Sequence, residues 1–280
     1  MRESSNPVLR SLPKQQGGYA QFGTGIAGAT QVGYQAQPYT SAPPQTGVSR
    51  PLTIDDVVSK TGITLGVLSV TAVISYFLVS ANVGLAMPFT LVGALGGLAL
   101  VLIATFGRKQ DNPAIVLGYA ALEGLFLGAI SFVMANMMVS GVSAGALIGQ
   151  AILGTIGVFF GMLVVYKTGA IRVTPKFTRF LVASMVGVLV LMLGNLVIGL
   201  FSGGAGPLRD GGTLAIIFSL VCIGIAAFSF LLDFDSADQM IRAGAPEKAA
   251  WGVALGLTVT LVWLYLEILR LLSYFYSSDR

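Results

Sequence analysis

The sequence predicts an all-α fold, a polytopic bundle of seven transmembrane helices, and three observations predict it. The chain of 280 residues is 55% hydrophobic and only 10% charged, with 36 glycines and a mean hydropathy of +0.83, so it carries more apolar surface than one soluble core can bury. Its charges are spread unevenly and leave apolar runs of about 20 residues, the length at which a helix rising 1.5 Å per residue crosses a hydrocarbon core of about 30 Å. Lys and Arg collect in alternate connections between those runs. The net charge of +4 does not signal nucleic acid, because the basic residues stand singly between apolar runs instead of forming a stripe.

Residues 1–52 are a different material from the rest. They are rich in Gly, Gln, Ser, Pro and Tyr and lack helical periodicity. They read as a disordered cytoplasmic tail, either a solvated linker or a docking peptide built on Tyr19, Tyr34 and Tyr39. No apolar segment follows Arg2, so no cleaved signal peptide is expected and the first membrane helix directs insertion.

Residues 53–280 form the membrane domain. Thr53 and Asp56 have the spacing of a capping box and start a helix whose first span is 62–81. Six further spans follow at 86–106, 114–138, 143–166, 179–201, 213–232 and 249–275. The last would reach about 40 Å and must tilt or protrude. Arg2, Arg10, Lys14, Arg50 and Lys60 fall on one side, with Arg108, Lys109, Lys167, Arg172, Lys176, Arg179, Arg242 and Lys248. Only Arg209 and Arg280 fall on the other. The positive-inside rule puts the N-terminus in the cytoplasm and the C-terminus outside, in the cell (plasma) membrane. Glycines at four-residue spacing predict close helix packing: Gly93 with Gly97, Gly124 with Gly128, Gly141 with Gly145 and Gly149, Gly157 with Gly161, and Gly252 with Gly256.

Ionisable residues inside lipid are the candidates for function, since each needs a partner, a water cavity or a proton. Glu123 lies ten residues into the third span, with no Lys or Arg at that depth in another span. It is either a water-facing or proton-binding group or a protonated carboxyl bonded to a neighbouring helix. Asp233, Asp235 and Asp238 cluster where the sixth span meets the cytoplasm. If the helix continues, Asp235 and Asp238 share a face, Asp233 points elsewhere and nearer the lipid, and Asp238 meets Arg242 at i+4. Carboxylates are the hard oxygen ligands that Ca²⁺ prefers, so Asp233 and Asp235 are candidate calcium or gating residues, against a plain solvated helix end. In the seventh span Thr260 and Glu267 face the same way, and Glu267 with Arg270 reads as an interfacial pair near the outer surface. Asn195 and Gln150 are expected as interhelical glue.

Histidine is absent and the one cysteine, Cys222, lies in an apolar run. An intrachain disulfide, His-based triads and zinc sites built on His are excluded. The last span has no Lys for a retinal Schiff base, and no Gly-x-Gly-Asp of an intramembrane protease occurs. No enzymatic activity and no cofactor are expected.

The acidic end of the sixth span, Leu232-Asp233-Phe234-Asp235-Ser236-Ala237-Asp238-Gln239, is followed by a short charged loop and a last helix ending Leu269-Arg270-Leu271-Leu272. This passage resembles the Bax inhibitor-1 (transmembrane Bax inhibitor motif) family. Glu123-Gly124 looks like that family's Glu-Gly element, seven helices match its bacterial members, and the Gly/Gln-rich tail looks like its actinobacterial branch. The resemblance covers about residues 53–275. It implies six helices around a central seventh, and a pH-sensitive calcium leak in which aspartates on the sixth and seventh helices share a proton-dependent hydrogen bond. By position the sixth-helix aspartate falls on Asp235, with Asp233 the rival. The seventh-helix aspartate aligns with Thr260, which cannot titrate. Either Glu267 or Glu123 then supplies the second carboxyl, or the sensor works differently, or the chain does not conduct calcium.

The expected function is a pH-sensitive cation leak with Ca²⁺ as the permeant ion. Asp235, assisted by Asp233, binds the cation or proton, and Glu123 lines the pathway. The alternatives are a proton-coupled secondary transporter and a non-conducting partner of membrane stress proteins or proteases. The expected partners are the lipid bilayer, calcium and protons, with a membrane-protein partner under the last alternative and no nucleic acid.

Overall fold

The computed structural model describes residues 50–138 and 143–278; Tyr19, Tyr34 and Tyr39 and the rest of the tail up to residue 49 lie outside them. Seven helices follow one another: α1 (Ile54–Ala81), α2 (Ala86–Phe106), α3 (Pro113–Phe132), α4 (Ala144–Thr168), α5 (Pro175–Ser202), α6 (Thr213–Arg242) and α7 (Ala250–Ser278). Each belongs to a helical stretch long and apolar enough to cross a membrane. Large side chains such as Phe77, 65% exposed, and Leu200, 76% exposed, stand on the outward faces, where only lipid satisfies them. The chain is a multi-pass membrane protein.

The helix ends follow the capping residues. Thr53 accepts from the Asp56 N–H at 3.4 Å while the Asp56 carboxylate accepts from the Thr53 N–H at 2.9 Å, both halves of the expected capping box. Asn112, Ser143 and Thr174 cap α3, α4 and α5, and Pro113 and Pro175 open their helices, where a missing N–H costs nothing. The third span reaches the expected 138 by continuing from α3 into a π-helical turn, Val133–Met138. One end lies well beyond expectation. α6 does not stop at 232 but runs ten residues further, so Asp233, Asp235 and Asp238 all lie on one helix.

α7 packs against α1, α3, α4 and α6, while α2 joins the bundle chiefly through α3 and α5 through α6. Of the expected ring of six around the seventh helix, these four make its extensive contacts. The glycine seams are selective. A Cβ on Gly93 would sit 2.6 Å from the Leu122 carbonyl oxygen, and one on Gly124 would run into Thr71 and the Leu68 carbonyl. Gly145, Gly149, Gly157 and Gly161 of α4 have open space beside them, so α4 packs on α6 and α7 through other residues and these glycines make no close approach, while Gly141 lies outside the described residues. Gly124→Ala is therefore expected to destabilise the protein by about 1–3 kcal/mol through overpacking. Gly157→Ala should be neutral or better, since it relieves a helix-interior glycine. Unfolding in detergent decides it, and equal midpoints for the two variants would disprove the seam.

The alternation of helices puts the α2–α3, α4–α5 and α6–α7 connections at one end, here called the basic end because it gathers Arg108, Lys109, Lys167, Arg172 and Lys248. There the chain before α1 pairs with the α6–α7 connection. Leu52 N–H donates to the Ala245 carbonyl at 2.8 Å and Glu247 N–H to the Arg50 carbonyl at 2.9 Å. The Arg50 guanidinium reaches Asp56 at 2.6 Å and Glu247 at 3.6 Å. Its hydrogen bond to Asp56 holds it above its ordinary pKa.

Candidate ion and proton site

Phe230 and Phe234 of α6 are buried against Val253, Leu257 and Leu264 of α7, and this packing fixes the rotation of the α6 end. It turns Asp233 inward. The Thr260 hydroxyl donates to Asp233 Oδ2 at 2.7 Å and lies 3.2 Å from the Gly256 carbonyl oxygen one turn earlier. Gly256 leaves room for the carboxylate, whose Oδ1 sits 3.9 Å from where a Cβ would be. Beside this pair lies a cavity of about 330 Å³, lined by Val101, Thr105, Gln110, Asp233, Ser236 and Thr260 among others.

Asp235, the residue expected by position to meet Thr260, does not do so. Two residues along a helix is a rotation of about 200°, so Asp233 and Asp235 cannot address the same neighbour. Asp235 Oδ2 accepts from Gln239 Nε2 at 2.6 Å. The Tyr166 hydroxyl of α4 lies 3.5 Å from Asp235 and 3.4 Å from Asp238. Asp238 also takes the expected ion pair with Arg242, at 2.7 Å. The shared face of Asp235 and Asp238 is present, whereas Asp233 points into the bundle and not toward lipid. Among the described residues no group of three or more Asp, Glu or Cys side chains gathers as a metal site.

Glu123 stands apart. Its Oε2 abuts Gly97 of α2, close to Tyr119 one turn back on α3. It is not in the lining of the Asp233 cavity, and among the described residues no side chain bonds or pairs with it.

Glu267 pairs with Arg270, as expected, and the pair is enclosed by the protein. Glu267 is 1% exposed and accepts from both Arg209 nitrogens, at 2.8 and 2.9 Å, and from Arg270 at 2.9 Å. Arg209 was expected only as a loop charge. It reaches Glu267 because the α5–α6 connection folds back onto α5. Asn195 Nδ2 donates to the Ala205 carbonyl and Asn195 Oδ1 accepts from the Leu208 N–H, both at 2.8 Å. Gly206, at φ +75°, sits so close to Asn195 that a Cβ would collide with it. Asn195 is thus a loop anchor and not interhelical glue; Gln150 does bridge helices, accepting from the Tyr276 hydroxyl at 3.1 Å. The one signal for this network is a lone arginine on the side otherwise poor in cations, opposite an acid in the last span. Held by two guanidiniums and about 10 Å along α7 from Thr260, Glu267 does not replace the missing second carboxyl.

At the mouth of the cavity, on the basic end, Lys248 pairs with Asp111 at 2.8 Å. Its hydrogen bond holds the Asp111 carboxyl below the ordinary carboxylate range.

No curated protein matches the chain. A family model described as Bax inhibitor 1 like matches residues 6–277. With an all-helical seven-span bundle and a match over nearly its whole length, the chain belongs to the Bax inhibitor 1 like family.

Proposed function

We propose that the protein is a proton-modulated cation leak, with calcium as the permeant ion, controlled by Asp233 and Thr260 at the end of the bundle that faces the cytoplasm. The observation that carries this reading is the 2.7 Å hydrogen bond from Thr260 to Asp233 beside a cavity within the bundle. Ionised Asp233 accepts from Thr260. Once protonated, the carboxyl can donate to the Thr260 oxygen while the Thr260 hydroxyl turns to the Gly256 carbonyl, already 3.2 Å away. The link survives in both states, and what the proton removes is the cavity's fixed negative charge. A pair of aspartates would behave differently, because its link needs a shared proton.

In proteoliposomes Asp233→Asn is expected to lower Ca²⁺ flux at least about tenfold, since losing a unit charge near a divalent ion costs more than about 1.4 kcal/mol even at high dielectric. Asp235→Asn should stay near the unsubstituted protein, because that side chain addresses Gln239 and Tyr166. Flux that is the same with Asn at 233 would defeat the reading. The half-buried Glu123, with no side-chain partner among the described residues, favours a second reading, a proton-coupled transporter. Saturable uptake driven by a pH gradient and lost in Glu123→Gln would establish that one instead.

A further inference from the structure

The Asp233 cavity is lined by α2, the α2–α3 connection, α6 and α7. Deeper in the bundle Ala104, Val116 and Tyr119 of α2 and α3 pack with Leu255 of α7, and at the mouth the α2–α3 connection itself meets α7. Lys248 Nζ lies 2.8 Å from Asp111 Oδ2, with both side chains at the surface. Next to this pair Gln110, which lines the cavity, rests on α7 at Gly252. A Cβ on Gly252 would stand 3.4 Å from the Gln110 Cβ and 3.6 Å from its carbonyl oxygen.

The α2–α3 connection is itself stiff. Lys109 N–H donates to the Ala104 carbonyl at 2.9 Å and Asn112 N–H to the Lys109 carbonyl at 3.1 Å, with Arg108 in the left-handed region at φ +51°. It moves with its hairpin and not as a floppy strand.

We infer that the α2–α3 connection is the gate over the Asp233 cavity, seated on Gly252 and latched to α7 by the Asp111–Lys248 ion pair. The inference rests on the cation-leak reading for its consequence, since opening the gate admits water and ions to Asp233. Both halves of the device suit that task. An exposed ion pair is weak, so it biases the closed position without locking it. The loop rests at ordinary van der Waals distance from where a Cβ on Gly252 would be, so it is seated on α7 without being wedged there. Lifting the connection here bears on the Ala104, Val116, Tyr119 and Leu255 cluster beneath it and leaves the Phe230, Phe234 and Leu257 packing untouched.

Two measurements in proteoliposomes test it. Gln110→Cys with Gly252→Cys sets two Cβ atoms about as close as a disulfide requires, roughly 3.5 Å, and the native Cys222 is fully buried. Oxidation of this pair should bring Ca²⁺ flux to background and reduction should restore it; a pair that oxidises with no change in flux overturns the gate. The second measurement needs no conduction. The labelling rate of Val101→Cys, inside the cavity, by a membrane-impermeant thiol reagent should rise about two- to fivefold with Asp111→Asn, the range an exposed ion pair commands. It should return with the exchange Asp111→Lys and Lys248→Asp. An unchanged rate, or a raised rate that the exchange does not reverse, overturns the inference. A protein that carries no Ca²⁺ in any form would refute the leak, and the labelling rates would still decide the gate.

Discussion

Replacing Glu267 by Gln is expected to cost about 3–5 kcal/mol of stability, more than overpacking the Gly124 seam, because it strips two enclosed guanidiniums of their common counter-ion. Glu267 is 1% exposed and takes three charge-assisted hydrogen bonds between 2.8 and 2.9 Å from Arg209 and Arg270. At a few degrees per kcal/mol for a chain of this size, the unfolding midpoint in detergent should fall by roughly 10 °C. Arg209→Gln should cost less, because Arg270 still neutralises the carboxylate. The two losses should not add, since the residues form one network. If Glu267→Gln unfolds no earlier than Arg209→Gln, the network does not hold the α5–α6 connection in place.

Thr260→Asp is expected to make Ca²⁺ flux more steeply pH-dependent than it is with Thr260, where only the charge of Asp233 changes with pH. Thr260 donates its hydroxyl to Asp233 at 2.7 Å, and with the donor reversed the same link forms to the protonated carboxyl. An aspartate at 260 has no such donor when ionised. The sign follows from the charges. With one shared proton the two carboxyls attract, and as pH rises and both ionise they repel. The contact therefore forms at low pH and breaks at high pH, and if it closes the pathway, flux rises with pH. Thr260→Val is the control, since it removes the hydrogen bond without adding a titrating group. Indistinguishable pH profiles for Thr, Val and Asp at 260 would remove this contact from the gating.

The spans were legible in the sequence because a helix in lipid must be apolar over about 20 residues. The start of α1 was legible because the Thr53–Asp56 pair is a local signal. The end of α6 was not. Residues 233–242 are too polar to count as a span, and only the burial of Phe234 and Ala237 against neighbouring helices keeps them helical. The shared face of Asp235 and Asp238 followed from the period of the helix, but the direction of that face did not. It is set by the aromatic packing of Phe159, Phe230 and Phe234 between α4 and α6, and counting by register alone puts Asp235 where Asp233 stands. Arg209 was the least legible residue. Its partner Glu267 lies 58 residues away, and the fold-back that joins them depends on one amide, Asn195, and on glycines at positive φ at 203 and 206. The seams at Gly93 and Gly124 and the empty flanks of Gly157 and Gly161 carry the same small-residue spacing, so spacing alone did not separate them.

The enclosed cluster of Glu267 with Arg209 and Arg270 sets two positive charges against one negative, a local excess of one positive charge remote from Asp233, with the exposed Asp210 beside it at the surface. A monovalent cation about 10 Å away meets an opposing energy of about 1.7 kcal/mol at an effective dielectric constant of about 20, and a divalent cation about twice that. The electrostatic profile along the bundle is consequently lopsided, a well at one mouth and a hill at the other. Under the cation-leak reading, conduction through such a profile would be slow and rectifying, with divalent ions slowed more than monovalent ones, unlike conduction through a freely open pore.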